Sequence, residues 1–185
     1  TTEIYTLSLH DALPISGEST TKKNTDHFVK RNTVVGMCPS CSATALFAMQ
    51  TNAPAGGQGN RTSLRGGGPL TTVVIGDTNH ATLWQMIWLN TLEDRAFLNI
   101  CGAPTLSHDS AKFPWMSATK TSEKDAGACL PNDFHPSVMY WGMPRRIRLC
   151  FDDLISGQCD ACGKESETLI KKYQQKNFGM NFLGA

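Results

Sequence analysis

Hydrophobic positions along the chain fall into short clusters separated by glycine-rich and hydroxyl-rich stretches. Thr33–Gly36 predicts a short strand leading into Cys38-Pro39-Ser40-Cys41. Beyond it, Ala43, Ala45, Leu46, Phe47 and Met49 predict a short buried helix, capped by Ser40 or Ser42 and ending near Gln50–Asn52, before Pro54. Residues 55–69 hold six glycines together with Arg61 and Arg65, a run that suits neither a helix nor a central strand. The β-branched Thr71–Ile75 predicts a strand. Over Thr82–Leu92, Leu83, Met86, Ile87 and Asn90 recur at helical spacing, with Trp84 and Trp88 on an adjoining face. Cys101–Asp133 is rich in Ser, Thr, Pro and Gly and predicts a long excursion. Arg145–Phe151 alternates, with Ile147, Leu149 and Phe151 facing one way and Arg146 and Arg148 the other. That is a half-exposed strand with cations on its outer face. The expected fold class is α+β, a mixed irregular domain of short strands and helices with glycine-rich loops.

Composition narrows the class. Of 185 residues, 40% are hydrophobic and 18% charged, against a usual charged share of about 25%. There is enough apolar material for a core, which excludes wholesale disorder. Lys plus Arg number 17 and Asp plus Glu 16, so the net charge of +1 excludes a strongly basic tail protein. No apolar run approaches the ~20 residues of a spanning helix, because Thr71–Leu89 is broken by Gly76, Asp77, Asn79 and His80. Residues 1–16, TTEIYTLSLHDALPIS, have no initiator Met, basic n-region or continuous apolar h-region, so a signal peptide is not expected. They read as a translated sequencing adapter, a non-native segment ahead of native residues 17–185; a genuine N-terminal strand and helix start is the alternative. Setting aside Glu3 and Asp11 leaves 17 basic against 14 acidic side chains, or +3. The chain stops at Phe182-Leu183-Gly184-Ala185 without turning polar. An internal piece of a longer protein is expected.

The seven cysteines carry the strongest chemistry. Cys38-x-x-Cys41 and Cys159-x-x-Cys162-Gly163 each let two thiolates of one turn point at one ion, and together they complete a tetrahedral structural zinc site. The 117 residues between the pairs exceed what a compact zinc ribbon needs. The ion would staple distant segments and close a large loop. A disulfide within either pair, or unrelated buried thiols, are the alternatives. Cys38-Pro39-Ser40-Cys41, between a strand and a helix, also has the layout of a thiol-disulfide oxidoreductase, although a redox site needs only one pair. Cys101, Cys129 and Cys150 have no partner spacing. The glycine run ends in no Gly-Lys-Ser/Thr and contains no Gly-x-Gly-x-x-Gly opening a helix, so phosphate-loop and dinucleotide readings fail. Gly56, Gly57 and Gly59 lack a Cβ and let the backbone approach a flat or grooved partner, flanked by Arg61 and Arg65; a plain surface loop is the alternative. His10 lies in the adapter-like segment, while His27, His80, His108 and His135 are isolated, and Asp152-Asp153 point apart on a strand end. No hydrolase is expected.

Taken in order, six motifs resemble one family. They are Asp26-His27-Phe28-Val29-Lys30-Arg31, Gly36-Met37-Cys38-Pro39-Ser40-Cys41, the run from Gln50 to Gly59, the run from Ser63 to Thr72, Tyr140-Trp141-Gly142-Met143-Pro144-Arg145-Arg146-Ile147, and Cys159-x-x-Cys162-Gly163-Lys164-Glu165-Ser166. The series resembles the large subunit of the type I-E CRISPR Cascade complex, the CasA family, from about Asp26 to Ala185. It would be an internal piece of that subunit's N-terminal domain. The resemblance implies a non-catalytic, cytoplasmic subunit that works with CRISPR RNA and the other Cascade subunits and binds no membrane. It implies recognition of the protospacer-adjacent motif in target duplex DNA, help in opening the duplex, and recruitment of the helicase-nuclease.

By the same resemblance, Gly56-Gly57-Gln58-Gly59 is the loop that enters the minor groove, where Gln58 departs from an all-glycine run. That groove is only about 6 Å wide and carries a degenerate code, which suits tolerant reading by a glycine backbone. His27, Phe28, Lys30 and Arg31 match a loop that contacts the RNA and the flank. Phe28 suits stacking, and Lys30 and Arg31 suit phosphates. A groove-reading lysine of the family falls at Asn177, with Lys176 beside it. The duplex-splitting glutamine wedge falls beyond Ala185. Cys38, Cys41, Cys159 and Cys162 match the family's metal-like knuckle. A charge of +3 does not by itself drive tight phosphate binding.

Overall fold

The computed structural model describes residues 5–8, 34–53, 59–77, 79–99, 108–123, 129–130 and 133–183. Five strands and five short α-helices appear among them, in agreement with a mixed, irregular α+β class. In chain order they are β1 (Tyr5–Ser8), α1 (Pro39–Asn52), α2 (Leu83–Leu89), α3 (Asp94–Asn99), α4 (Asp109–Lys112), α5 (Val138–Trp141), β2 (Arg146–Leu149), β3 (Ile155–Gln158), β4 (Glu165–Leu169) and β5 (Lys172–Lys176). A 3-10 turn, Pro114–Met116, follows α4. No helix among the described residues is long and apolar enough to cross a membrane.

Two small antiparallel sheets organise the chain. In the first, β5 lies between β1 and β2; in the second, β3 pairs with β4. Strand β2 realises the central part of the predicted Arg145–Phe151 strand, and register explains its two faces. Ile147 stands opposite Gln175 and Leu149 opposite Tyr173, whereas Arg146 stands opposite Lys176 and Arg148 opposite Gln174. Ile147 and Leu149 pack against a core of Met37, Met49, Cys159, Leu169, Ile170 and Tyr173. Phe151 falls outside the strand and is 58% exposed, so it does not join the inward set. Strand β1 lies within the segment read as non-native. An open sheet edge accepts an extended chain through main-chain bonds alone.

Helix α1 begins three residues before the expected Ser42. Cys38 is its N-cap and Pro39 its first residue, and neither Ser40 nor Ser42 caps it. Its core-facing side is Ser42, Ala45 and Met49, spaced three and four residues apart. Phe47, expected inside, is 46% exposed and leans on Trp141 at 5.7 Å between ring centres. Gln50 is buried and fixes α1 to the start of β2: its Nε2 donates to Arg145 O at 2.7 Å and its Oε1 accepts from Arg145 N–H at 2.9 Å. That side chain completes Arg145 as a neighbouring strand would, and so it ties the helix bearing Cys41 to the sheet.

Two expectations change around residues 71–99. Thr71–Ile75 forms no strand. Instead the Asn90 side chain takes the place of a partner strand, accepting from Val74 N–H and donating to Val74 O, both at 2.8 Å. Helix α2 is shorter than predicted, with Thr82 as N-cap and a reciprocal capping box with Gln85. No residue of α2 is buried, and Trp84 and Trp88 meet edge to face at 5.6 Å on its surface. The Cys101–Asp133 excursion is irregular among its described residues apart from α4 and the 3-10 turn. A second small core of Cys129, Val138 and Met180, with Phe134 and Phe182, anchors its end.

Candidate metal centre and nucleic-acid interface

The first cysteine turn is set by Pro39, whose fixed φ suits a helix start and whose missing N–H is one that a helix start leaves unpaired. The second sits at the tip of the β3–β4 hairpin. Gly163 N–H donates to Cys159 O at 2.8 Å, and Cys159 N–H to Lys164 O at 2.9 Å. Gly163 holds φ +73, the left-handed conformation that glycine takes without a Cβ penalty.

Main-chain bonds clamp the two turns together. Met37 and Ile170 exchange both hydrogen bonds, at 3.0 and 2.8 Å, and Asp160 N–H donates to Gly36 O at 3.1 Å. The Asp160 carboxylate answers in the other direction: its Oδ2 accepts from Val35 N–H at 2.7 Å and Gly36 N–H at 2.8 Å. The four Sγ atoms of Cys38, Cys41, Cys159 and Cys162 then lie within 4.8 Å of one another, and those of Cys38 and Cys162 are 4.0 Å apart. Tetrahedral zinc with Zn–S bonds of about 2.3 Å places its sulfurs about 3.8 Å apart. The cluster fits after a contraction of at most about an ångström.

Protonation within the cluster is uneven. The Cys41 thiol is pushed up to about 12, chiefly by hydrogen bonding with Cys162 and then Cys38. For Cys159, burial opposes the charged form. The N–H groups of Cys38, Cys162 and Ala161 outweigh it and bring the thiol down to about 6. Zinc would displace the remaining protons, so its affinity falls as pH falls. Convergence of all four sulfurs is the arrangement a metal centre uses; a redox pair asks for two.

Sequence reasoning missed Asp160, although an acidic residue directly after the first cysteine of a knuckle is a turn-forming signal. Its carboxyl is held below the usual 3.8 by the Gly36 and Val35 N–H groups. Because the fold favours the carboxylate, its stabilisation is complete above the ordinary carboxylate range. It fades only as pH falls through the lowered value. Asp160→Ala removes the clamp, and zinc affinity is expected to drop about 10- to 100-fold, measured by competition with a chromogenic chelator at neutral pH.

A second constellation forms where the end of the glycine loop meets the end of β5. Gly59 holds φ +76, and a Cβ there would lie 2.9 Å from Asn177 Cβ and 3.0 Å from the Phe178 ring. Phe178 N–H donates to Gly59 O at 2.9 Å. Phe178 itself has φ +62, which costs a bulky residue about 1–3 kcal/mol and persists only where neighbours enforce it. They do so here. Phe178 O accepts from Ser122 N–H at 3.0 Å, and the Arg61 guanidinium stands 5.4 Å over the ring. Arg61 Nε and Nη2 donate to Ser122 Oγ and O at 2.7 and 3.0 Å. Arg61 therefore fastens the joint, while Arg65 is an exposed side chain on the following turn.

Residues 8–185 match the family model of CRISPR-associated protein Cse1 (CRISPR_cse1). The chain belongs to the Cse1 family. Cse1 proteins are subunits of the CRISPR Cascade complex of type I-E, generally non-catalytic, and associate with its other components. In this Cse1 chain the structure gathers all four predicted metal ligands. It also brings Gly59 against Asn177, next to Lys176. His27, Phe28, Lys30, Arg31, Gly56, Gly57 and Gln58 lie outside the described residues. Phe178 and Ser122 carried no signal in the sequence, since nothing in a lone aromatic or serine foretells a left-handed backbone.

Proposed function

We propose that this Cse1 chain is the part of Cascade that recognises the protospacer-adjacent motif in duplex DNA. The Gly56-Gly57-Gln58-Gly59 backbone enters the minor groove, with Lys176 and Asn177 beside it, and Phe28, Lys30 and Arg31 with His27 contact the RNA and the flanking strand. From that position the subunit aids duplex opening and recruits the helicase-nuclease, in the cytoplasm, with no chemistry of its own. One zinc ion held by Cys38, Cys41, Cys159 and Cys162 is structural.

The observation that supports this most is the contact of Gly59 with Asn177 and Phe178. Two segments more than a hundred residues apart in sequence, assigned to the same groove by resemblance, meet at one joint. A glycine with φ +76, bonded through its carbonyl to Phe178 N–H, fixes the backbone at Gly59, the last residue of the groove-entering run. The clustered thiols favour a structural metal over the oxidoreductase reading, in which Cys41 and Cys38 would act as a separate pair.

Replacing Gly57 with leucine tests the assignment. The side chain should block close backbone approach to the groove floor, abolishing the difference in affinity between duplexes with and without the motif while Cascade still assembles. Unchanged motif discrimination in that variant would remove the loop from the reading.

A further inference from the structure

The outer face of the β2–β5 pair has no part in the sites above, apart from Lys176 at its edge. Register places Arg146 beside Lys176 and Arg148 beside Gln174 on that face, with Ile147, Leu149 and Tyr173 turned into the core beneath. Strand spacing of about 4.8 Å and an i to i+2 repeat of about 6.7 Å turn these four side chains into a two-by-two array of donors. They line a cleft of about 290 Å³ together with Thr119 and Met143.

Charge pairing within the array is uneven. Arg146 is held by Glu123 at 2.7 Å and by Asn177 O at 3.1 Å. Its guanidinium is thereby anchored at the edge of the Gly59 joint. Lys171 and Lys172 both approach Asp153, at 4.0 and 3.1 Å. Arg148 and Lys176 make no ion pair among the described residues, and Arg148 is exposed. The cleft thus offers cations, an amide and a hydroxyl, with Glu123 already committed. A phosphodiester strand suits such a face: it carries repeated single negative charges and acceptor oxygens at a spacing comparable to the i, i+2 repeat, and guanidinium binds phosphate oxygens two at a time.

We infer that Arg148 and Gln174 grip the phosphodiester backbone of the target duplex beside the flank. This rests on the motif-reading proposal for its choice of duplex DNA. It adds to that proposal a sequence-independent hold distinct from the groove reader, the division in which phosphate contacts position and base contacts specify. The two residues are on β-strands rather than loops, so the hold is rigid and fixes the register in which the glycine loop meets the groove.

The test uses Cascade reconstituted with a full-length subunit carrying Arg148→Gln, and a second complex carrying Gln174→Glu. Affinity is measured for a motif-bearing and a motif-scrambled duplex across about 50 to 200 mM salt. For Arg148→Gln the expected result is an equal, several-fold loss on both duplexes, with a salt slope shallower by about one. Gln174→Glu should also weaken both equally, by repulsion. An unchanged salt slope with wild-type affinity would overturn the inference. So would a loss confined to the motif-bearing duplex, which would make Arg148 a base reader, or a failure to join the RNA-bound subunits, which would make the face a subunit or guide-RNA contact. Failure of motif reading itself appears separately, as equal affinity of the wild-type complex for both duplexes.

Discussion

Cys159→Ser is expected to release the metal and unfold the region around it. Cys159 is 1% exposed and sits in the main core with Met37, Met49, Leu169, Ile170 and Tyr173. Its sulfur also accepts from Cys38 N–H at 3.3 Å. Losing one of four thiolates breaks a tetrahedral site, and structural zinc contributes on the order of 10 kcal/mol where folding depends on it. Even with partial compensation, a loss of about 4 kcal/mol or more follows, lowering Tm by roughly 8–16 °C for a chain of this size. Calorimetry with parallel zinc analysis checks it: wild-type protein should hold one equivalent and the variant none. Chelation of wild-type protein should reproduce the variant's Tm. A Cys150→Ser control should hold its zinc, since Cys150 lies outside the cluster.

The second large effect belongs to Gly59. Gly59→Val demands a β-branched residue at φ +76, with a Cβ 2.9 Å from Asn177 Cβ. The left-handed backbone alone costs an L-residue about 1–2 kcal/mol, and the contact forces the loop exit away from β5. Displacing the loop by even an ångström should remove close approach to the groove, so motif-dependent affinity is expected to fall at least tenfold. Gly57→Leu should give the same binding defect with no change in Tm, because its effect is at the DNA. Gly59→Val should lower both. Measuring the two variants side by side, by thermal melts and duplex binding, separates a blocked tip from a displaced one. Wild-type motif discrimination in Gly59→Val would break the link between the joint and the loop.

Local chemistry in the sequence foretold the cysteine cluster, α1 and the central part of β2. Two Cys-x-x-Cys turns announce their geometry wherever they fall, and Ile147 and Leu149 alternate with Arg146 and Arg148 as a half-buried strand must. Strands β4 and β5 were invisible because Glu165–Leu169 and Lys172–Lys176 carry mostly polar residues. Main-chain pairing and one buried aromatic, Tyr173, hold β5 in place, and neither leaves a periodic signature. Thr71–Ile75 had the right β-branched composition but lacked a partner, since Asn90 satisfies Val74 instead. A long-range partner cannot be read from a segment's own residues. The same limit applies to the joint: the glycine run predicted close approach, but what it approaches within the chain, Asn177 and Phe178, depends on a tertiary contact.

The measurement that bears most directly on the central claim is the affinity of Cascade, assembled with a full-length subunit containing this segment, for duplexes identical except in the few base pairs beside the target. Affinity should depend strongly on those base pairs, and Gly57→Leu should abolish that dependence. Equal affinity for every flank would contradict it and leave this Cse1 segment a zinc-stapled scaffold, with motif recognition made elsewhere in the complex.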